Sequence, residues 1–468
     1  MAEQVTHVDH GISGAAAEPA RRRYLVFAVV SLALMMSSVD QTIVATALSA
    51  IQHDLHTQVN WSSWTITIYS LGQVLVMPLA GKLGDQYGRK QIFLGAVVLF
   101  TTASLCCGFA NDIYLLIVLR AVQAIGGGGL MPSATGIVAE IFGTERDRAV
   151  GLFSSIFPIG GIIGPVLGGV FVTYWSWRGI FLVNVPIGIV LLALGTLIIP
   201  AIPRRPDRHL DIRGVALLGG TLLPAMLGIA YLGGSNSHVA SPAFLVPECA
   251  AVVACVLFLR HTAKAPSPFI SLRFITGRGF GIMNLLNFLY GSAVLGFAPL
   301  VPLYAQNRYG LRPLAAGTLL TARAVGMIAT AGVAVYLLRR TGYRWPMAVG
   351  FTLMAIGVLG TALSPHGLSP YAWLVLATGI CGVGMGISTP ASNNATLQLA
   401  PEHAAAVAGL RGMFRQAGAI TAVSITAAIV ARSTNPGITQ AHVFVVFAAI
   451  TACSLPLILL VPEHRGRW

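Results

Sequence analysis

Charge is scarce in this sequence. Asp, Glu, Lys and Arg make up 9% of its 468 residues, and the acids number only 15. A water-soluble domain carries about 25% charged residues, so an ordinary soluble class is excluded. The six cysteines (Cys106, Cys107, Cys249, Cys255, Cys381 and Cys453) all lie inside apolar runs. They have neither metal-ligand nor redox spacing and read as small packing residues. A phosphate-cradling Gly-x-x-x-x-Gly-Lys-Ser/Thr loop is absent, which argues against ATP-driven work by this chain. No His-Glu-x-x-His helix and no Gly-x-Ser-x-Gly elbow occurs, so neither a metal nor a cofactor is expected and the chain does not read as an enzyme. Loop histidines such as His53, His56 and His238 read as solvated surface. The formal charge of +14 is scattered between apolar runs rather than gathered in a stripe, which argues against nucleic acid as a partner.

What the sequence does have is long apolar runs: 55% of residues are hydrophobic and the mean hydropathy is +0.77. A bilayer-crossing helix needs about 20 mostly apolar residues. Fourteen runs qualify, at 24–47, 61–80, 91–110, 113–138, 149–173, 179–200, 212–232, 243–260, 279–304, 313–337, 345–364, 370–394, 404–431 and 441–461. The first follows Arg21–Arg23 and is too long for a signal-peptide core, so it is expected to be retained. Basic residues test this count, because they accumulate in cytoplasmic loops. With the N-terminus inside, 21 of the 29 Lys and Arg fall on the cytoplasmic side and four (Arg178, Arg308, Arg312, Arg432) outside. The remaining four, Arg120, Arg323, Arg411 and Arg415, fall within spans.

Basic loops at 200–214 and 261–277 bracket two spans, which divides the chain into a cytoplasmic tail (1–23), a six-helix bundle (24–200), an inserted pair of helices with its loops (201–278), a second six-helix bundle (279–461) and a tail (462–468). GKLGDQYGRK after the second span is echoed by LLRRTGYRW after the tenth. Internal repeats of this kind mark transporters.

Five blocks carry a more specific signal. Gly81-Lys82-Leu83-Gly84-Asp85-Gln86-Tyr87-Gly88-Arg89-Lys90 combines glycines that permit a tight turn with charges that can latch helix ends. Gly160, Gly164 and Gly168 line one face of the fifth span, with Pro165 beside them, allowing close helix contact and a bend. Arg120-Ala121-Val122-Gln123 leads into Gly126–Gly129 of the fourth span, and an intramembrane arginine should face a partner or a cavity. Asp40-Gln41-Thr42 lies about two-thirds of the way along the first span, followed by Ala45 and Thr46. Trp177-Arg178 precedes Asn184 and Pro186 at the start of the sixth span.

These blocks resemble the motifs of the major facilitator superfamily, and in particular its fourteen-span drug:proton antiporters. Ala124 and Ala45 stand where the family has glycine and asparagine, and Ser49 where it has proline. The resemblance implies an all-α membrane fold of two six-helix bundles plus two inserted helices. It implies alternating access with proton-coupled export, Asp40 and Arg120 in proton coupling, and a gating role for Gly81, Asp85, Gly88, Arg89, Gly160, Gly164, Pro165 and Gly168. Burial disfavours the charged form of an acid, which makes Asp40 the main protonation candidate; a permanent ion pair with Arg120 is the competing reading. Thr42, Gln123, Asn284, Asn287, Arg323, Arg411 and Arg415 are the candidates for a substrate cavity, with Asn393 and Asn394 near them. Four intramembrane arginines against so few acids favour neutral, zwitterionic or anionic amphiphiles over dications. The expected protein is a monomer in the plasma membrane with both termini cytoplasmic, exchanging a small molecule for protons. A lipid or glycolipid flippase, or a sensor that kept the fold, are the alternatives.

Overall fold

The structure, a computed structural model, describes residues 20–463 apart from 58, 202–210, 233–236, 267 and 366. The two tails and the stretch 202–210, and with them Arg204, Arg205, Arg208, Arg465 and Arg467 of the charge count, lie outside the described residues. Among the described residues there is no strand, and fourteen helices are long and apolar enough to cross a bilayer. Spans 1 to 6 are Arg21–Leu48, Trp64–Tyr87, Arg89–Gly108, Ile113–Phe142, Arg146–Tyr174 and Gly179–Ile198. Spans 7 and 8 are Ile212–Leu232 and Pro242–Lys264. Spans 9 to 14 are Phe280–Tyr309, Ala315–Leu338, Arg344–Ala362, Pro370–Leu397, Pro401–Val430 and Pro436–Ile458. An even number of crossings returns the chain to the face from which it started, called here the terminal face.

One boundary changes a motif's meaning. Span 2 continues past the expected end at residue 80 to Tyr87, so Gly81 and Asp85 are helical, and the turn itself is made by Gly88 with φ 108°. That backbone conformation is open to glycine and strained for any other residue.

The packing pattern repeats eight spans later. Span 4 packs on spans 2 and 3, span 1 on span 5 and span 3 on span 6; correspondingly span 12 packs on 10 and 11, span 9 on 13 and span 11 on 14. The halves meet where span 13 crosses spans 2 and 4, and where span 5 meets spans 10 and 12. Span 9 is interrupted by a π-helical turn at Gly291–Leu295. Gly291 lies there against the backbone carbonyl of Arg415, and Gly418 on span 13 approaches the Phe288 carbonyl equally closely. Extra residues in a helical turn of this kind often accompany functional sites.

Spans 7 and 8 pack on each other, and span 7 lies also on spans 2 and 13. Span 8 turns Val246, Val252 and Val253 outward, 58–66% exposed, a surface suited to lipid. A clip fastens this pair at the terminal face. Asp211 contacts His261 Nε2 at 2.8 Å and accepts from the backbone N–H groups of Gly214 and Phe269. Burial opposes the Asp211 charge, but these donors outweigh it and hold the carboxyl below the ordinary carboxylate range.

Candidate functional site

Asp40 is fully buried and takes three side-chain donors. Arg120 Nη1 donates to Oδ2 at 2.7 Å, while Gln123 Nε2 and Asn184 Nδ2 donate to Oδ1 at 3.0 and 3.1 Å. Arg120 and Gln123 share a face of span 4 by their three-residue spacing, and Arg120 Nη1 also donates to Gln123 Oε1 at 2.8 Å. The guanidinium spends Nε on the Thr65 carbonyl at 3.1 Å and lies over the Tyr69 ring, 4.0 Å from its centroid. A buried ion pair withstands desolvation only when its remaining donors and acceptors are met in this way. The family glycine replaced by Ala124 is compensated across the helix contact, where Gly72 of span 2 leaves room for the Ala124 methyl.

A cavity of about 1070 Å³ lies between the halves. Thr42, Arg323, Arg411 and Arg415 line it, as does Pro165. Three of the expected cavity residues, Gln123, Asn284 and Asn287, lie outside its lining. Asp40, Arg120 and Gln123 stand behind the wall, screened by Gln41 and Gln73, which bond to each other; Gln73 Nε2 continues to the Tyr69 hydroxyl at 3.2 Å. Gln123 is therefore an Asp40 partner rather than a cavity residue. Asn284 and Asn287 are also outside the lining: Asn284 donates to the Phe274 and Ile275 carbonyls, and Asn287 to the Met283 carbonyl at 2.7 Å. Their amides serve the backbone at the start of span 9. The Gly160, Gly164 and Gly168 face packs span 5 closely against span 1 within the N-terminal half. A Cβ at these positions would strike Ser38, Thr42 and Thr46 respectively.

Closure between the halves occurs at the terminal face. Gly81 abuts the Ala405 carbonyl and Ala406 on span 13, and Gly409 abuts the Met77 carbonyl on span 2. Arg89 braces the adjoining corner, bonding Asp85 at 3.0 Å, the Gly136 carbonyl at 2.8 Å and Glu140 at 2.9 Å. Asp147 at the start of span 5, which sequence reasoning passed over, crosses to the other half. Its carboxylate accepts from the Tyr343 hydroxyl at 3.1 Å and Gln398 Nε2 at 3.0 Å, and its carbonyl from Asn394 Nδ2 at 2.8 Å. Burial and the Asp147 charge push the Tyr343 hydroxyl well above its ordinary value, so it stays a neutral donor. Hydrogen bonds to charged groups contribute about 1.5–3 kcal/mol. Tyr343→Phe is therefore expected to open the terminal face about ten-fold more often, measured as faster labelling of a cysteine placed at Ser154 in the cavity wall by a membrane-impermeant thiol reagent supplied from the terminal face alone. Toward the opposite face the lining continues to Thr173, Tyr174 and Thr318, at the ends of spans 5 and 10 away from the terminal face. Near that face Trp177 Nε1 and Arg178 Nη1 both donate to Asp54 and hold its carboxyl below the ordinary range.

The family model of the Major Facilitator Superfamily matches residues 30–423 and again 283–468. Over 418 residues the chain is 28% identical to the multidrug transporter protein MdtP of Bacillus subtilis, covering 88% of this chain and 76% of that one. It is 30% identical to multidrug resistance protein 3 of the same organism, covering 80% and 72%. Among solved structures, the human organic anion transporter MFSD10 superposes with a TM-score of 0.72 at 16% identity, covering 94% of this chain and all of that one. With fourteen apolar helices in two related bundles and multidrug transporters as relatives, this chain belongs to the major facilitator superfamily and is a multi-pass membrane transporter, not an enzyme.

Proposed function

We propose that the chain is a proton-coupled antiporter that exports small amphiphilic molecules across the plasma membrane by alternating access, working as a monomer with both termini cytoplasmic. The observation that carries this reading is the placement of a fully buried carboxylate, Asp40, one residue from the cavity-lining Gln41. The cavity is sealed at the terminal face by the Gly81, Gly409 and Asp147 contacts and continues toward the other face. A proton arriving from that open face reaches Asp40 when the Gln41–Gln73 bond parts. Neutral Asp40 loses its ion pair, and Arg120 keeps the Thr65 carbonyl, Gln123 and the Tyr69 and Phe181 rings. The span 1–span 4 contact is then weakened in one state and not the other, which is the differential that any coupling requires. Release of the proton at the terminal face restores the pair.

The test is flux from proteoliposomes carrying a chemically varied panel of amphiphiles under an imposed pH gradient. Efflux should quicken several-fold when the compartment at the open face is acid, and collapse when an ionophore dissipates the gradient. Equal flux with and without the gradient would overturn proton coupling.

A further inference from the structure

Among the described residues, the cavity wall carries three arginines and no acid. Arg323 from span 10 and Arg411 and Arg415 from span 13 all line it, and no Asp or Glu among the described residues does. Arg120 shows how this chain surrounds a paired guanidinium in its membrane interior: an acid at 2.7 Å, a carbonyl, an amide and an aromatic face. The cavity arginines receive nothing comparable. Arg323 Nη1 has a long 3.4 Å bond to the Val294 carbonyl, and Arg411, only 5% exposed, has a buried Nε without a hydrogen-bond partner among the described residues. Arg411 and Arg415 also repel each other across one helical turn. Unpaired guanidiniums in an apolar wall are costly to keep, and packing gives no compensation for them.

We propose that these arginines form the recognition site for an amphiphilic organic anion, whose carboxylate or sulfonate bridges Arg411 and Arg415 with Arg323 opposite. This rests on the transport reading above and narrows its substrate class. Guanidinium forks match planar oxyanions two bonds at a time. All the charge comes from the C-terminal half, whereas Met77, Met131 and Phe157 of the N-terminal half offer an apolar wall. A molecule with an anionic head and a lipophilic body touches both halves at once. Its charge also supplies the counter-ion that the arginines lack when the cavity closes on both sides.

The test uses the purified full chain and three probes sharing one body: 4-(1-naphthyl)butyrate, the corresponding alcohol, and the corresponding trimethylammonium. Equilibrium binding should favour the butyrate over the ammonium by at least ten-fold. Arg411→Gln and Arg415→Gln should each weaken the butyrate by about ten- to a hundred-fold, the loss of a charge-assisted bond. Because Arg411→Gln removes an unpaired buried charge, the ligand-free variant should melt no lower than the parent, whereas a structural arginine would lower the melting temperature. Equal binding of the ammonium, undiminished butyrate binding in both glutamine variants, or a lower melting temperature for Arg411→Gln would each overturn the proposal. Binding is read without a gradient, so anion selectivity with no pH-driven flux would sink proton coupling and leave this site standing.

Discussion

Asp40→Asn is expected to abolish gradient-driven efflux and, at the same time, to lower the stability of the folded protein. The second effect follows from the geometry. Asp40 is the acceptor for Arg120, Gln123 and Asn184, and the Arg120 guanidinium is 1% exposed. Removing one partner of a buried pair costs about 3–5 kcal/mol, because the other charge is left uncompensated. Asparagine keeps one acceptor oxygen, so the lower end of that range applies. Loss of transport in the single variant therefore cannot separate a proton carrier from a structural pair. The double variant Asp40→Asn with Arg120→Gln separates them, since it removes both charges and leaves hydrogen-bonding groups of similar size. Its melting temperature should return most of the way to the parent value, with a coupling energy of several kcal/mol in the double-mutant cycle. If Asp40 carries the proton, the double variant moves substrate downhill but ignores the pH gradient. Full gradient-driven efflux from a stable double variant would reduce the pair to scaffolding.

The residues that sequence reading located best are those whose chemistry is local. Arg120 and Gln123 lie one helical turn apart, so their shared face was legible from spacing alone, and the unusual cost of Asp40 and Arg120 in a membrane marked them as partners to suspect. Long apolar runs placed the spans to within about five residues, except where Gly81 and Asp85 proved helical, because a charged glycine-bearing segment looks like a turn whichever side of the boundary it lies on. Contacts across the halves were not legible. Asp147 resembled any acid in a charged loop until Tyr343, 196 residues away, was brought to it. Nothing in the sequence joined Asn184 to Asp40, 144 residues away, although its amide completes the Asp40 shell. Asn284 and Asn287 failed for the opposite reason. Polar residues in a span suggest a cavity, yet an amide can equally serve nearby carbonyls, and periodicity does not distinguish the two.

Gly81→Ala should disable the transport cycle without disturbing the fold of either half. Within span 2 the substitution is favourable, since alanine suits a helix interior better than glycine by about 1 kcal/mol. The obstacle is in the other half. A Cβ on Gly81 would run into the Ala405 carbonyl group and the Ala406 Cα, which are backbone atoms of span 13 and cannot turn aside as a side chain can. Overpacking of this kind costs about 1–3 kcal/mol, and here the penalty falls on one state only, the one closed at the terminal face. That corresponds to a shift in population of about five- to 150-fold toward the opposite conformer. Spin labels at the exposed Tyr87 and Trp345, one on each half at the terminal face, should report a new population at longer distance in Gly81→Ala. Gly409→Ala, which meets the Met77 carbonyl from the other side of the same contact, should behave alike. Gly95→Ala on span 3, where an added methyl meets nothing within 4 Å, should leave both distance and flux unchanged. A parental distance distribution and parental flux in Gly81→Ala would show that the seal lies elsewhere than between spans 2 and 13. The moving surface would then have to be sought at the meeting of span 5 with spans 10 and 12, where Asp147 makes its crossing.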